Sequence, residues 1–123
     1  MNIQIKNLPN GISIVKINEP KTYNALSFQN LTDLIKAFKK LDNDKKTNVI
    51  ILEGAGKGFS AGHNLKEVKN LKVRNKYQKL FNLCSKLMLQ IVEGRKPVIA
   101  KVHGAAYAAG CQLVASCDLA YST

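Results

Sequence analysis

Two apolar runs constrain this chain more than anything else in it. Val49-Ile50-Ile51-Leu52 and Val98-Ile99-Ala100 each lead into a loop of small residues and then into the start of a helix. A continuous apolar run of this kind reads as a strand buried on both faces. Strands separated by segments of helical periodicity point to an α/β arrangement with largely parallel pairing.

The other elements fit around these two strands. Ile3 and Ile5 alternate with Asn2, Gln4 and Lys6 as in a half-buried strand, Pro9-Asn10-Gly11 supplies a turn, and Ile12 to Ile17 returns as the second arm of a hairpin. Asn18-Glu19-Pro20-Lys21 breaks the pattern into a loop. Ser27 is then a good N-cap, with Leu26 and Leu31 spaced for a hydrophobic staple. Leu31, Leu34, Ile35, Phe38 and Leu41 recur at helical spacing behind it. Asn64 caps a short helix. A longer helix covers roughly Val73 to Glu93, with Tyr77, Leu80, Phe81, Cys84, Leu87, Met88 and Ile91 on one stripe, and Gly94 and Pro97 stop it. A last short helix runs near Ala109 to Ala115, and Asp118-Leu119-Ala120-Tyr121 begins another strand.

At 123 residues the chain fits one domain, residues 1–123. It stops just past a strand that no following helix covers, so a domain truncated at its C-terminal end is expected. On its own such a chain is expected to be molten or self-associating.

Composition excludes more than it assigns. Hydrophobic residues at 46% and charged residues at 22% are ordinary for a globular domain. No run approaches the ~18 apolar residues of a membrane span, and Met1 to Lys6 carries no signal-peptide pattern. Cys84, Cys111 and Cys117 are odd in number and lack C-x-x-C spacing, which reads as reduced thiols of a cytoplasmic protein. With only His63 and His103 beside them, no metal site is expected. Nineteen Lys plus Arg against eight Asp plus Glu give a net charge of +11. That charge has two readings, a polyanionic partner or lysines spread over solvated helix faces. No basic cluster interleaves with aromatics as single-strand binders require, so no nucleic-acid partner is expected.

The chemistry concentrates in two segments of one design. The first runs from Ile50 through Phe59-Ser60-Ala61-Gly62-His63-Asn64, the second from Val98 through His103-Gly104 to Ala108-Ala109-Gly110-Cys111-Gln112. Small residues let a ligand approach the backbone, and helix N-termini present unpaired N–H groups with partial positive charge. Two such turns facing each other could hold an oxygen that gains negative charge during reaction. Plain structural turns would have the same composition, and Gly-rich loops alone do not decide between the two.

Three stretches carry a family resemblance. Phe59 to Glu67 is similar to the first signature of the crotonase (enoyl-CoA hydratase/isomerase) superfamily. Lys96-Pro97-Val98-Ile99-Ala100 to Gly104, with Ala109-Gly110-Cys111-Gln112-Leu113 and Cys117-Asp118-Leu119-Ala120, is similar to the second. Asn24-Ala25-Leu26 matches a third element, and all lie in family order over essentially the whole chain. The resemblance implies the N-terminal part of an α/β crotonase (ClpP-like) ββα spiral fold. It implies an acyl-CoA or enoyl-CoA thioester as ligand, CoA being part of the substrate and no separate cofactor being needed. Full-length relatives of this family form trimers or hexamers.

Site roles follow position by position. The resemblance puts the two oxyanion-hole N–H groups on His63 and Ala109. CoA would lie against Ser60-Ala61-Gly62, with Lys21, Tyr23, Ala25, Lys66 and Gly110 around it. The imidazole of His63 has no placed partner for base catalysis. Gln112 stands where hydratases of the family carry a glutamate, and an amide neither gains nor loses a proton near neutral pH. The family's second glutamate falls beyond Thr123. The expected function is therefore acyl-CoA binding without hydratase activity by this chain alone, the alternative being a non-catalytic remnant or half of a split protein.

Overall fold

The computed structural model describes residues 2–63 and 74–122. β1 (Ile3–Asn7) and β2 (Ile12–Ile17) pair antiparallel, with Ile3 opposite Ile17 and Ile5 opposite Val15. The turn between them is a 3-10 turn over Pro9–Gly11, in which Asn10 takes φ 68°. Asparagine tolerates the left-handed region better than most side chains, so this turn is local chemistry, as expected.

A second 3-10 turn, Pro20–Thr22, occupies part of the expected loop. α1 (Phe28–Asp42) then starts at Ser27, whose Oγ accepts the N–H of Asn30 at 3.1 Å. Leu26 and Leu31 are both fully buried in one cluster, as a staple requires. After α1 come β3 (Val49–Gly54), α2 (Arg74–Glu93), β4 (Val98–Val102), α3 (Ala109–Ser116) and β5 (Leu119–Ser122). The short helix read from Asn64, and Val73 at the start of the long one, lie outside the described residues.

The sheet has five strands in chain order, and every pairing after the first hairpin is parallel. One side of it meets the helices. Val15, Ile17, Ile50, Leu52 and Val98 pack there against Leu31, Leu34, Phe38 and Leu41 of α1 and Leu80, Leu87 and Ile91 of α2. Each fully buried leucine contributes about 1.5–3 kcal/mol by leaving water.

The continuous apolar run of β3 proves to be buried on one face only. Ile50 and Leu52 are buried, whereas Val49 and Ile51 are partly open. Ile14, Ile51, Ile99 and Leu119 align across the sheet on that second side, each paired with the next. β5 is exposed along its length. Hydrophobic periodicity reports what a strand can bury, and here the helices cover one side.

Two polar contacts fix where the second turn begins. Lys96 Nζ donates to the carbonyls of Asp44 and Thr47, pinning the chain just before β4. Asp118 exchanges bonds with Val98: its Oδ2 accepts from Val98 N at 2.7 Å and its own N–H donates to Val98 O at 2.9 Å. The aspartate of the Cys117-Asp118 pair thus docks β5 onto β4.

Candidate functional site

Asn24 organises the first turn from below. It and Tyr23 both adopt left-handed backbone, φ 55° and 53°. The buried amide of Asn24 then reaches three carbonyls, donating from Nδ2 to Ala55 O at 2.8 Å, Gly58 O at 3.0 Å and Phe59 O at 3.1 Å. Ser60 Oγ donates to Asn24 O at 2.9 Å and accepts from Gly62 N at 3.2 Å. Ala61 N donates to Tyr23 O at 2.9 Å, and Leu26 N donates to Gly62 O at 2.6 Å. The segment 24–26 is therefore the floor on which the Ser60 to Gly62 backbone is laid.

The second turn is stitched to the first. Phe59 N and Ser60 N share Ala105 O at 3.0 and 3.3 Å, and Tyr107 N donates to Ser60 O at 3.0 Å. Contact between the turns is what demands their small residues. A Cβ on Gly110 would fall 2.4 Å from Ser60 O. Gly62 has φ +88°, and a Cβ there would fall 3.2 Å from Ala109 N. Side chains at either position would force the turns apart.

The backbone N–H groups of His63 and Ala109 donate no hydrogen bond among the described residues. For Ala109 the reason is general: the first N–H groups of a helix have no partner within it. Both residues line one cavity of about 390 Å³, together with Phe81, Cys84 and Met88 of α2 and Gln112 of α3. The imidazole of His63 meets Phe81 edge-on, centroids 5.5 Å apart and planes at 83°. His63 Nδ1 lies 3.4 Å from Leu26 O. Gln112 donates its backbone N–H to Ala108 O at 3.0 Å, while its side-chain amide makes no hydrogen bond among the described residues. Among the described residues no carboxylate lines the cavity.

On the far side of the turns, Tyr23, Ala61 and Tyr107 border a second cavity of about 290 Å³. Ala25, Ser60, Gly62 and Gly110 are buried, so they can offer a ligand only backbone. Lys21 is exposed on the Pro20–Thr22 turn, adjacent to Tyr23 only through Thr22. Lys66 lies outside the described residues. His103, just past the end of β4, places Nε2 2.6 Å from Gly56 O.

Five contributors escaped the sequence reading: Asn24 as the positioning residue, and Phe81, Cys84, Ser85 and Met88 as cavity walls. For α2 a signal existed. Apolar pairs at Leu80-Phe81 and Leu87-Met88 make its stripe wider than one buried face needs.

The thiols divide by environment. Burial raises the pKa of Cys84, and burial together with the neighbouring Asp118 charge pushes Cys117 up to about 12. Cys111 is exposed, and all three are unpaired. Among the described residues no group of three His, Cys, Asp or Glu could hold a metal ion, and no helix is long and apolar enough to cross a membrane.

Fold and turns together define a class, and comparison with known proteins agrees. The enoyl-CoA hydratase/isomerase family model matches residues 7–123, and the chain belongs to that family, with the N-terminal part of the crotonase fold. Among individual proteins, it is 42% identical to enoyl-CoA hydratase domain-containing protein 3, mitochondrial, of Xenopus laevis, over 92% of this chain and 38% of the relative. The human protein of that name is also 42% identical, over 92% of this chain and 37% of its own length. A solved enoyl-CoA hydratase from Mycobacterium smegmatis superposes with TM-score 0.96 at 43% identity, over 99% of this chain and 48% of that one. The chain thus spans two-fifths to one-half of the proteins it matches.

Proposed function

We propose that this chain binds acyl-CoA thioesters, with the thioester oxygen held by the N–H groups of His63 and Ala109. The observation that carries the reading is the pair of abutting turns, each offering a backbone N–H with no partner among the described residues, at the edge of one cavity. A carbonyl oxygen accepting both would be stabilised as it takes on negative charge. Each such donor is commonly worth about 3–4 kcal/mol of barrier. CoA lies along the Ser60 to Gly62 backbone, with Tyr23 and Ala61 bordering it and Lys21 near its phosphates, and the family resemblance adds Lys66 to that role.

The chain by itself does not hydrate enoyl-CoA in this reading. Gln112 stands on the cavity wall at the position of the family's glutamate and cannot exchange a proton. The His63 imidazole on the same wall has Nδ1 beside Leu26 O and no carboxylate partner among the described residues. Losing acid–base assistance typically removes ~10²–10⁴-fold per group. Crotonyl-CoA mixed with the pure chain should lose absorbance no faster than in buffer. A cytoplasmic location belongs to the same reading and rests on three unpaired thiols; fractionation of cells expressing the chain checks it.

Binding is tested by calorimetric titration with an acyl-CoA at fixed salt. Ala61→Asp puts a carboxylate where an anionic ligand must approach, and should weaken binding at least tenfold, about 1.4 kcal/mol. Lys45→Ala, remote from both turns, should change little. Equal losses from both would mean diffuse charge attraction and would remove the site assignment.

A second reading has its own observation. Leu119 and Tyr121 are 66% and 50% exposed on a strand open along its length. A polypeptide pairing with β5 would cover them, making this chain one half of a split protein. Loss of Tyr121 fluorescence accessibility to a soluble quencher, on adding the C-terminal half of a relative, would support it.

A further inference from the structure

We propose that α2 is a ruler for the acyl chain, with Phe81 marking the thioester end and Met88 the far end, so that the site selects uncharged acyl groups of medium length. The proposal rests on the acyl-CoA reading above and adds to it the class of acyl group. Four observations carry it.

First, Phe81, Cys84, Ser85 and Met88 line the same cavity as His63 and Ala109. At 100° per residue Phe81 and Met88 stand on one line of the helix, flanked by Cys84 and Ser85. Second, the orientation is fixed at one end. The ring of His63, whose N–H is the proposed oxygen ligand, touches Phe81 edge-on at 5.5 Å. Third, Phe81 is half-exposed although apolar and large, and burial against an acyl chain would account for it. Fourth, among the described residues no Lys, Arg, Asp or Glu lines the cavity. Among these described walls a tail carrying a carboxylate would lose its hydration without a lysine or arginine to meet it. Burial raises the Cys84 pKa, so that wall is a neutral thiol.

Helix geometry supplies the length. Seven residues from Phe81 to Met88 rise about 10 Å at ~1.5 Å each. An extended chain advances ~1.2 Å per bond, taking the peptide figure of ~3.6 Å per three bonds. The trough therefore takes about eight bonds. Its volume, about 390 Å³, lies within the range of small-molecule sites.

The test is a calorimetric series on the full chain with CoA, acetyl-, butyryl-, octanoyl-, lauroyl- and palmitoyl-CoA, each below its micelle concentration. Complete burial of a methylene corresponds to roughly fourfold in affinity, and an open trough to roughly half of that on a log scale, or about twofold per carbon. Affinity should rise on the order of fiftyfold from acetyl to octanoyl and then stay flat. An eight-carbon acyl group ending in a carboxylate should lose most of that gain. Met88→Phe should weaken octanoyl-CoA at least fivefold more than it weakens acetyl-CoA, and Met88→Leu should keep the wild-type break. The wild-type series decides the matter even if Met88→Phe does not fold. Affinity independent of chain length, or rising steadily through palmitoyl, would overturn the ruler and leave CoA-ester binding standing. No binding by any CoA ester would overturn both.

Discussion

α1 and α2 are built from similar amounts of apolar residue and use them differently. In α1 the apolar positions are spent on the core: Leu31, Leu34, Ile35, Ala37, Phe38 and Leu41 are all buried, and the opposite face carries Lys36, Lys39 and Lys40. In α2 only one stripe, Leu80, Cys84, Leu87 and Ile91, is buried. Phe81, Leu89 and Val92 stand 50%, 55% and 62% exposed on the same helix. An amphipathic helix needs one apolar stripe to fold against a sheet. α1 therefore has what folding requires. α2 has more, and its surplus begins at the cavity that contains His63 and Ala109.

The sharpest way to break this contrast is truncation within the two core stripes. Leu34→Ala in α1 and Leu87→Ala in α2 each remove a fully buried side chain and should each cost about 2–5 kcal/mol. Urea unfolding of the chain, compared at unchanged m-value, measures both. A large loss at Leu34 and none at Leu87 would mean that α2 is not anchored to the core at all.

Capping offers a smaller effect confined to α1. Ser27 Oγ satisfies the N–H of Asn30, one of the orphan donors at that helix start. Ser27→Ala should cost ~1 kcal/mol, while Ser27→Asp, which keeps an acceptor and adds favourable charge at the N-terminus, should restore it. Unchanged stability in Ser27→Ala would place the origin of α1 in the Leu26 and Leu31 staple instead.

These two helices also show what was legible in the residues. α1 could be read to its cap, because periodicity, cap and staple all pointed to one register. Both turns were legible too, since Gly62 and Gly110 are small for a reason that contact between the turns makes plain. The width of the α2 stripe was visible in the doubled pairs Leu80-Phe81 and Leu87-Met88. Which member of each pair faces the core was not, because that depends on how α2 sits between α1 and α3. Asn24 was read as part of a motif but not as the amide that gathers Ala55, Gly58 and Phe59, since those partners lie thirty-one to thirty-five residues away. Likewise Ile51 reads as buried by composition, and only the placement of helices on the other side of the sheet leaves it partly open.

The smallest expected effect on stability is the one that separates the two helices most cleanly. Leu89 and Val92 already sit largely in water, so Leu89→Ser and Val92→Ser remove little that folding had gained. Surface changes of this kind stay within about 0.5 kcal/mol. Their effect should appear in solution behaviour instead. Exposed apolar stripes draw one another together and bind hydrophobic dyes. The double variant should therefore show weaker dye fluorescence and a lower apparent mass in sedimentation than wild type, at the same urea midpoint. Matching serines at Lys36 and Lys39 on the outer face of α1 should leave both readouts where they were, since no apolar surface is lost there. If instead the α2 double variant unfolds markedly earlier, its outer stripe is covered in the folded chain, and the division of α2 into a core face and a spare face fails.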